Sequence, residues 1–79
     1  TIERPNDEYA WYLLAEAYGL ASNVPGVHEA RAEFFVLNGN FDQAIKQLGY
    51  ALPLVRHNFQ RSARIRQRQQ EIWELKDGD

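Results

Sequence analysis

The stretch from His28 to Leu52 constrains the fold most, because it places a turn signal between two segments of helical periodicity. The signal is Asn38-Gly39-Asn40. Gly39 stands where the first helix has to stop, since a residue without Cβ takes the left-handed conformation at no steric cost. Asp42 follows in a position to cap the second helix. The stretch therefore predicts two helices folded back on each other.

Both halves of this stretch combine small residues, where another helix can come close, with bulky residues that fill the seam. These residues are Ala30, Ala32, Phe34, Phe35, Leu37, Phe41, Ala44, Ile45, Leu48, Ala51 and Leu52. We expect the rest of the chain to pack on this pair of helices.

An earlier helix is predicted to begin near Glu8. Its apolar stripe consists of residues spaced i, i+3, i+4 and i+7, namely Trp11, Leu14, Ala15 and Tyr18. Residues 22–26 (Ser-Asn-Val-Pro-Gly) break the pattern and start the helix that runs to Asn38. An ordinary amphipathic core helix would explain the stripe alone, but the stripe and the Gly39 turn occur together.

Two motifs resemble the tetratricopeptide repeat: Trp-x-x-Leu-Ala-x-x-Tyr over 11–18 and Gly-x-Phe-x-x-Ala over 39–44. One helix would then belong to two successive repeats, so we expect a compressed or irregular repeat. We assign residues 1–7 to the tail of a preceding repeat and residues 8–55 to tetratricopeptide-like helices. Because the chain begins at Thr1 without methionine, we expect it to be a piece of a longer protein.

The C-terminal part is predicted to be a long capping helix with a frayed end, over 56–79. Pro53 lacks an amide donor, so it ends or kinks the preceding helix. The apolar set of the last helix is Phe59, Ala63, Ile65, Ile72, Trp73 and Leu75. Since Arg and Gln occupy its middle, we expect contact at its two ends. The overall prediction is an all-α fold of about four helices.

Composition excludes few classes of function. The chain has no cysteine for a disulfide or a thiolate, and no apolar run approaches the ~20 residues that span a bilayer. A net charge of −2 is too close to neutral to indicate a partner. The charges are uneven, however, since residues 1–52 are acidic and residues 53–79 are basic.

No catalytic constellation can be assembled from this sequence. His28-Glu29 begins the zinc-protease pattern His-Glu-x-x-His, but Ala32 stands where the second histidine belongs. The carboxylates are scattered, and neither a phosphate-binding glycine loop nor a serine or cysteine nucleophile constellation is present. We therefore expect a chain that is not an enzyme and that holds no metal or cofactor.

Two sets of side chains are candidates for binding. Arg61, Arg64 and Arg68 recur at i, i+3 and i+7, which suits phosphate, but the acidic character of the whole chain argues against nucleic acid as the partner. These arginines would better receive an acidic partner segment or the acidic first half of this chain. Stacked helix pairs also leave a peptide-binding groove. Its candidates, which ordinary surface would explain equally well, are Tyr12, Glu16, Asn38, Gln43, Gln47 and Tyr50.

Three runs, HEARAE over 28–33, NGNFDQAI over 38–45 and QRSARI over 60–65, resemble the C-terminal repeat domain of the β-barrel assembly-enhancing proteases of Gram-negative bacteria. In that family a separate N-terminal domain binds zinc through His-Glu-x-x-His. The resemblance implies a periplasmic, non-catalytic module that binds the outer-membrane protein assembly machinery or its substrates and presents them to the protease domain. The alternative is a structural module that packs on its own protease domain and restrains access to it.

Overall fold

The computed structural model describes residues 8–78, which form four α-helices and no strand. The helices are α1 (Glu8–Leu20), α2 (Val24–Leu37), α3 (Phe41–Ala51) and α4 (Phe59–Asp77), and a 3₁₀ turn over Leu52–Val55 joins α3 to α4. The predicted all-α fold of about four helices is thereby confirmed, and its identity as a repeat stays a prediction. The predicted repeat tail at 1–7, together with Asp79, lies outside the described residues. None of these four helices is long and apolar enough to cross a membrane.

The turn between α2 and α3 has the geometry that the sequence predicts. Gly39 has a φ of 77°, and the Asn40 N–H donates to the Phe35 carbonyl at 2.8 Å. This is a Schellman turn, in which a left-handed residue lets the last carbonyls of a helix find donors. The prediction that Asp42 caps α3 is wrong, because Asn40 occupies the N-cap position and Asp42 lies in the first turn, 2.6 Å from Lys76 Nζ.

The turn between α1 and α2 repeats this backbone geometry without a glycine. Ser22 has a φ of 59°, and the Asn23 N–H donates to the Tyr18 carbonyl at 2.8 Å. The predicted break over 22–26 is shorter than expected, since α2 already begins at Val24. Proline is tolerated there because the first turn of a helix has no partner for its missing N–H. The side chain of Asn23 then caps the helix by accepting from the Gly26 N–H at 3.1 Å.

The core lies where α2, α3, the 3₁₀ turn and α4 meet. Each helix packs on the next one along the chain, and alanines at the crossings let the backbones approach closely. The buried residues of this cluster are Ala32, Ala44, Leu48, Ala51, Val55, Ile65 and Ile72. In α1, by contrast, Ala15 is the one buried residue.

The last helix packs differently from the prediction. Of its predicted apolar set only Ile65 and Ile72 are buried, whereas Phe59 is 81% exposed and Trp73 about half exposed. Contact is not confined to the two ends, because Gln69 in the middle donates to the Ile45 carbonyl at 3.3 Å. The predicted fraying from residue 76 is also wrong over 76–77, since the helix continues to Asp77.

Candidate functional site

One face of α1 is apolar and only partly covered. Trp11, Leu14 and Tyr18 are half-buried and lie on the same side of the helix, next to the buried Ala15. Of the apolar stripe that the sequence indicates, only Ala15 at its centre is therefore buried. Its three large side chains form the wall of a groove instead.

The position of Tyr18 depends on a glycine in α2. A Cβ added at Gly26 would lie 2.8 Å from Tyr18 Cγ and 2.8 Å from Asn23 Nδ2, so no larger residue fits without movement. Gly26 is itself buried. The close approach at this point brings the Tyr18 ring against the start of α2 and fixes one end of the apolar wall.

Two arginines of α4 connect that helix to α2. Arg61 donates to Glu29 Oε2 from Nε at 2.9 Å and from Nη2 at 2.6 Å. Arg68 donates to both oxygens of Glu33, each at 2.8 Å. Glu29 and Glu33 lie one turn apart on α2, so they form a row of acceptors. The sequence suggests that these arginines bind either an acidic partner segment or the acidic first half of the chain. In the structure, Arg61 and Arg68 bind the acidic first half.

The ion pair between Arg68 and Glu33 is the more strongly held of the two. Arg68 also donates from Nη1 to Glu71 at 3.1 Å. The hydrogen bond from Glu33 raises the pKa of Arg68 above its ordinary value, although partial burial opposes the shift. A guanidinium that donates to both oxygens of one carboxylate makes a strong and directional contact. These pairs fix the side of α4 that faces α2.

Between the apolar face of α1 and the arginine-bearing face of α4 lies a cavity of about 370 Å³, which we call the α1–α4 groove. The floor is formed by residues of α2 and α3, and α4 adds one apolar residue among its arginines. Within residues 8–78, it is lined by Trp11, Leu14, Tyr18, Gly26, Glu29, Ala30, Glu33, Leu48, Arg61, Arg64, Ile65 and Arg68.

Arg64 differs from the other two arginines of the groove. It lines the groove and is exposed, and within residues 8–78 its guanidinium has no ion pair or hydrogen bond. Among the residues that the structure describes, the groove thus offers an apolar wall and one cation that is not bound to a neighbouring carboxylate.

Comparison of the chain with protein-family models, curated proteins and solved structures finds no match. The family resemblance consequently rests on the quoted sequence motifs, and the site has to be interpreted from its own geometry.

The other candidate residues do not lie together in this groove. Tyr12 and Glu16 line a second cavity of about 360 Å³, on the other side of the contact between α1 and α2. Its aromatic rings pack on one another, with centroids 6.2 Å apart for Tyr12 and Phe34 and 5.7 Å apart for Phe34 and Phe35. The positive charge of Arg31 offsets the negative charge of Glu16 in this lining. The described residues that line this second cavity combine aromatic side chains with no excess charge.

Gln47 and Tyr50 belong to a contact between α3 and α2. His28 Nδ1 lies 2.8 Å from Gln47 Oε1, which as an acceptor makes the ring nitrogen the donor, and the His28 ring lies 5.6 Å from that of Tyr50. Asn38 ends α2, where its amide donates to the Phe34 carbonyl at 3.0 Å. Gln43 is exposed on α3 and lines neither cavity.

Within residues 8–78 no three His, Asp or Glu side chains come close enough together to hold a metal ion. The sequence reasoning missed the role of Trp11, Leu14 and Tyr18 as a groove wall, because a periodic stripe looks the same whether its outer part is covered or open. It gives the acidic first half of the chain as one possible partner of the arginines, but it does not identify Glu29 and Glu33. The spacing of Glu29 and Glu33 by one turn was the available signal, since acidic residues on one face of α2 suit a basic face on α4.

Proposed function

We propose that this chain is a non-catalytic protein-interaction module that binds a segment of a partner protein in the α1–α4 groove. The observation that carries the proposal is the half-buried apolar wall of Trp11, Leu14 and Tyr18 facing the charged wall of α4. A cavity of about 370 Å³ falls within the ~300–1,000 Å³ range of ligand sites. Helical modules commonly bind an extended or helical segment in such a groove.

The resemblance to the β-barrel assembly-enhancing proteases supplies the finer part of the proposal. The partner would be the outer-membrane protein assembly machinery or one of its substrates, in the periplasm. Zinc would be bound in the protease domain of the parent protein. By holding a substrate, the module would raise its effective concentration near that protease site.

The test is photo-crosslinking in intact Gram-negative cells, with the probe at Leu14 in the groove of the full-length protein. The control probe is at Gln43, which is exposed and lines neither cavity. We expect Leu14 to crosslink to outer-membrane assembly proteins and Gln43 to give none of these products. Equal products from both positions would contradict binding in the groove.

A second candidate is favoured by the outer face of α1. Tyr9, Leu13 and Leu20 are exposed there, Leu20 by 91%, and an apolar face of this kind suits packing against another domain. The module would then restrain access to the parent's own protease domain. A probe at Leu13 separates the two functions. Crosslinks from Leu13 to that domain, without assembly proteins at Leu14, would favour the restraining role.

A further inference from the structure

The charges in the α1–α4 groove do not cancel. Among residues 8–78, three arginines and two glutamates line it, which leaves one excess positive charge in this part of the chain. Arg61 and Arg68 each make two hydrogen bonds to a glutamate of α2. Each of these two guanidiniums is already paired with a carboxylate of the chain, and Arg68 also donates to Glu71. The excess charge therefore belongs to Arg64.

Arg64 lies on α4 between the two paired arginines, one turn from each. Its guanidinium carries five donors and no acceptor. Among residues 8–78 none of them is used within the chain, whereas the neighbouring forks are held in place by α2. The pairs at Arg61 and Arg68 thus fix the helix face that presents Arg64 to the groove.

The surroundings of Arg64 would strengthen an ion pair formed there. The opposite wall consists of Trp11, Leu14 and Tyr18, and the apolar Leu48 and Ile65 also line the groove. A bound apolar side chain would displace water from this space and lower the local dielectric. The attraction between two charges rises as the effective dielectric falls. An exposed pair on an open surface, by comparison, gains little.

From this arrangement we infer that the groove selects segments in which a large apolar side chain, leucine or phenylalanine, is flanked by aspartate or glutamate. The apolar side chain fills the space along the α1 wall, and the carboxylate takes the fork of Arg64. The inference rests on the proposed function, because it specifies the chemistry of the segment bound in the same groove. Arg64 is the residue that determines charge preference, and Trp11 reports occupancy.

The probes are three short synthetic peptides with the same Leu-Phe centre, flanked by aspartates, asparagines or lysines. Binding is followed by tryptophan fluorescence in the Trp73→Phe variant, so that Trp11 is the reporter. Trp73 suits removal, since it is about half exposed and lines neither cavity. We expect the aspartate peptide to bind about tenfold more tightly than the asparagine peptide, and the lysine peptide to bind most weakly.

Two arginines of the same helix give a matched pair of variants. Arg64→Gln should reduce the preference for the aspartate peptide to about twofold or less. Arg66→Gln should leave this preference unchanged, because Arg66 is also exposed but lines neither cavity. Arg64→Glu should invert the order and favour the lysine peptide. Circular dichroism of each variant confirms that the helices are retained.

The outcomes separate this inference from the proposed function. Equal binding of all three peptides, with Trp11 responding, would overturn the charge preference and leave the groove as a binding site. If Arg64→Gln and Arg66→Gln reduced the preference for the aspartate peptide equally, the role of Arg64 would be overturned. The overall charge of the helix would then explain the preference. If none of the peptides binds or changes Trp11 emission, both the inference and binding in the groove are contradicted.

Discussion

The two walls of the groove, α1 and α4, have opposite compositions and opposite degrees of attachment. α1 contains two charged residues, yet it buries Ala15 alone. α4 contains eight charged residues and buries Ser62, Ile65 and Ile72. The polar helix is held by core packing and by ion pairs to α2 and α3, while the apolar helix keeps much of its apolar surface open. Hydropathy alone therefore does not indicate which helix belongs to the core and which supplies a binding surface.

The difference should appear most strongly in the stability lost when one large apolar side chain is removed from each of these two helices. Ile72→Ala removes a fully buried residue of the core cluster and should lower the free energy of unfolding by about 2–5 kcal/mol. Trp11→Ala removes more atoms but from a half-buried wall, so it should cost less than Ile72→Ala. Urea unfolding of both variants measures this. A larger loss for Trp11→Ala would show that α1 is the better-packed helix.

The two left-handed turns give the next largest contrast. Gly39→Val should cost about 1 kcal/mol or more, because a β-branched residue is strained at a φ of 77° even though a Cβ there would meet no neighbouring atom. Ser22→Gly should stabilise the chain by about 0.5–1 kcal/mol, since it relieves the same strain at the end of α1. Thermal melting checks both signs. No change in either variant would contradict the turn geometry.

The attachment of α4 to α2 predicts a smaller effect. Arg68→Met should lower stability by about 1 kcal/mol, because it leaves the half-buried Glu33 without its two-point partner. The loss should shrink in a Glu33→Gln background, because position 33 then carries no charge that needs a partner. A double-mutant cycle in urea gives the coupling. If the effects of the two substitutions were strictly additive, the ion pair between Arg68 and Glu33 would not attach α4 to α2.

The smallest effect is expected at the end of α4. Lys76 lies 2.6 Å from Asp42, but both side chains are well exposed, and such pairs contribute ~0.5 kcal/mol or less. Lys76→Gln should therefore leave the midpoint of urea unfolding nearly unchanged. If Lys76→Gln destabilised the chain as much as Arg68→Met, the burial of an ion pair would not determine how much stability it contributes here.

Much of the fold follows from local signals in the sequence. Gly39 marks the end of α2 because few other residues accept its backbone angles, and the alanines of α2 and α3 mark where helices cross. The course of α4 was harder to predict. Its inward face mixes Ser62, Gln69 and Arg68 with isoleucines, so the apolar residues of its sequence include exposed ones such as Phe59.

The site was less predictable than the fold. Whether the Trp11 stripe is covered depends on how far α4 stands from α1, which is a property of the whole chain. Three candidates, Arg61, Arg64 and Arg68, do lie in the groove. Tyr12 and Glu16 lie off the apolar stripe of α1, and they line the second cavity instead. Sequence spacing identifies a helix face, but it does not identify the element opposite that face.

The central claim, that the groove between α1 and α4 is the binding site, is tested most directly by the two tryptophan indoles. In the ¹H–¹⁵N spectrum of the labelled chain, the N–H signals of Trp11 and Trp73 report the groove and the outer side of α4. On titration with the aspartate-flanked Leu-Phe peptide, we predict that the Trp11 signal shifts in a saturable way and that the Trp73 signal stays in place. A shift of Trp73 without Trp11, or of neither signal, would contradict the account.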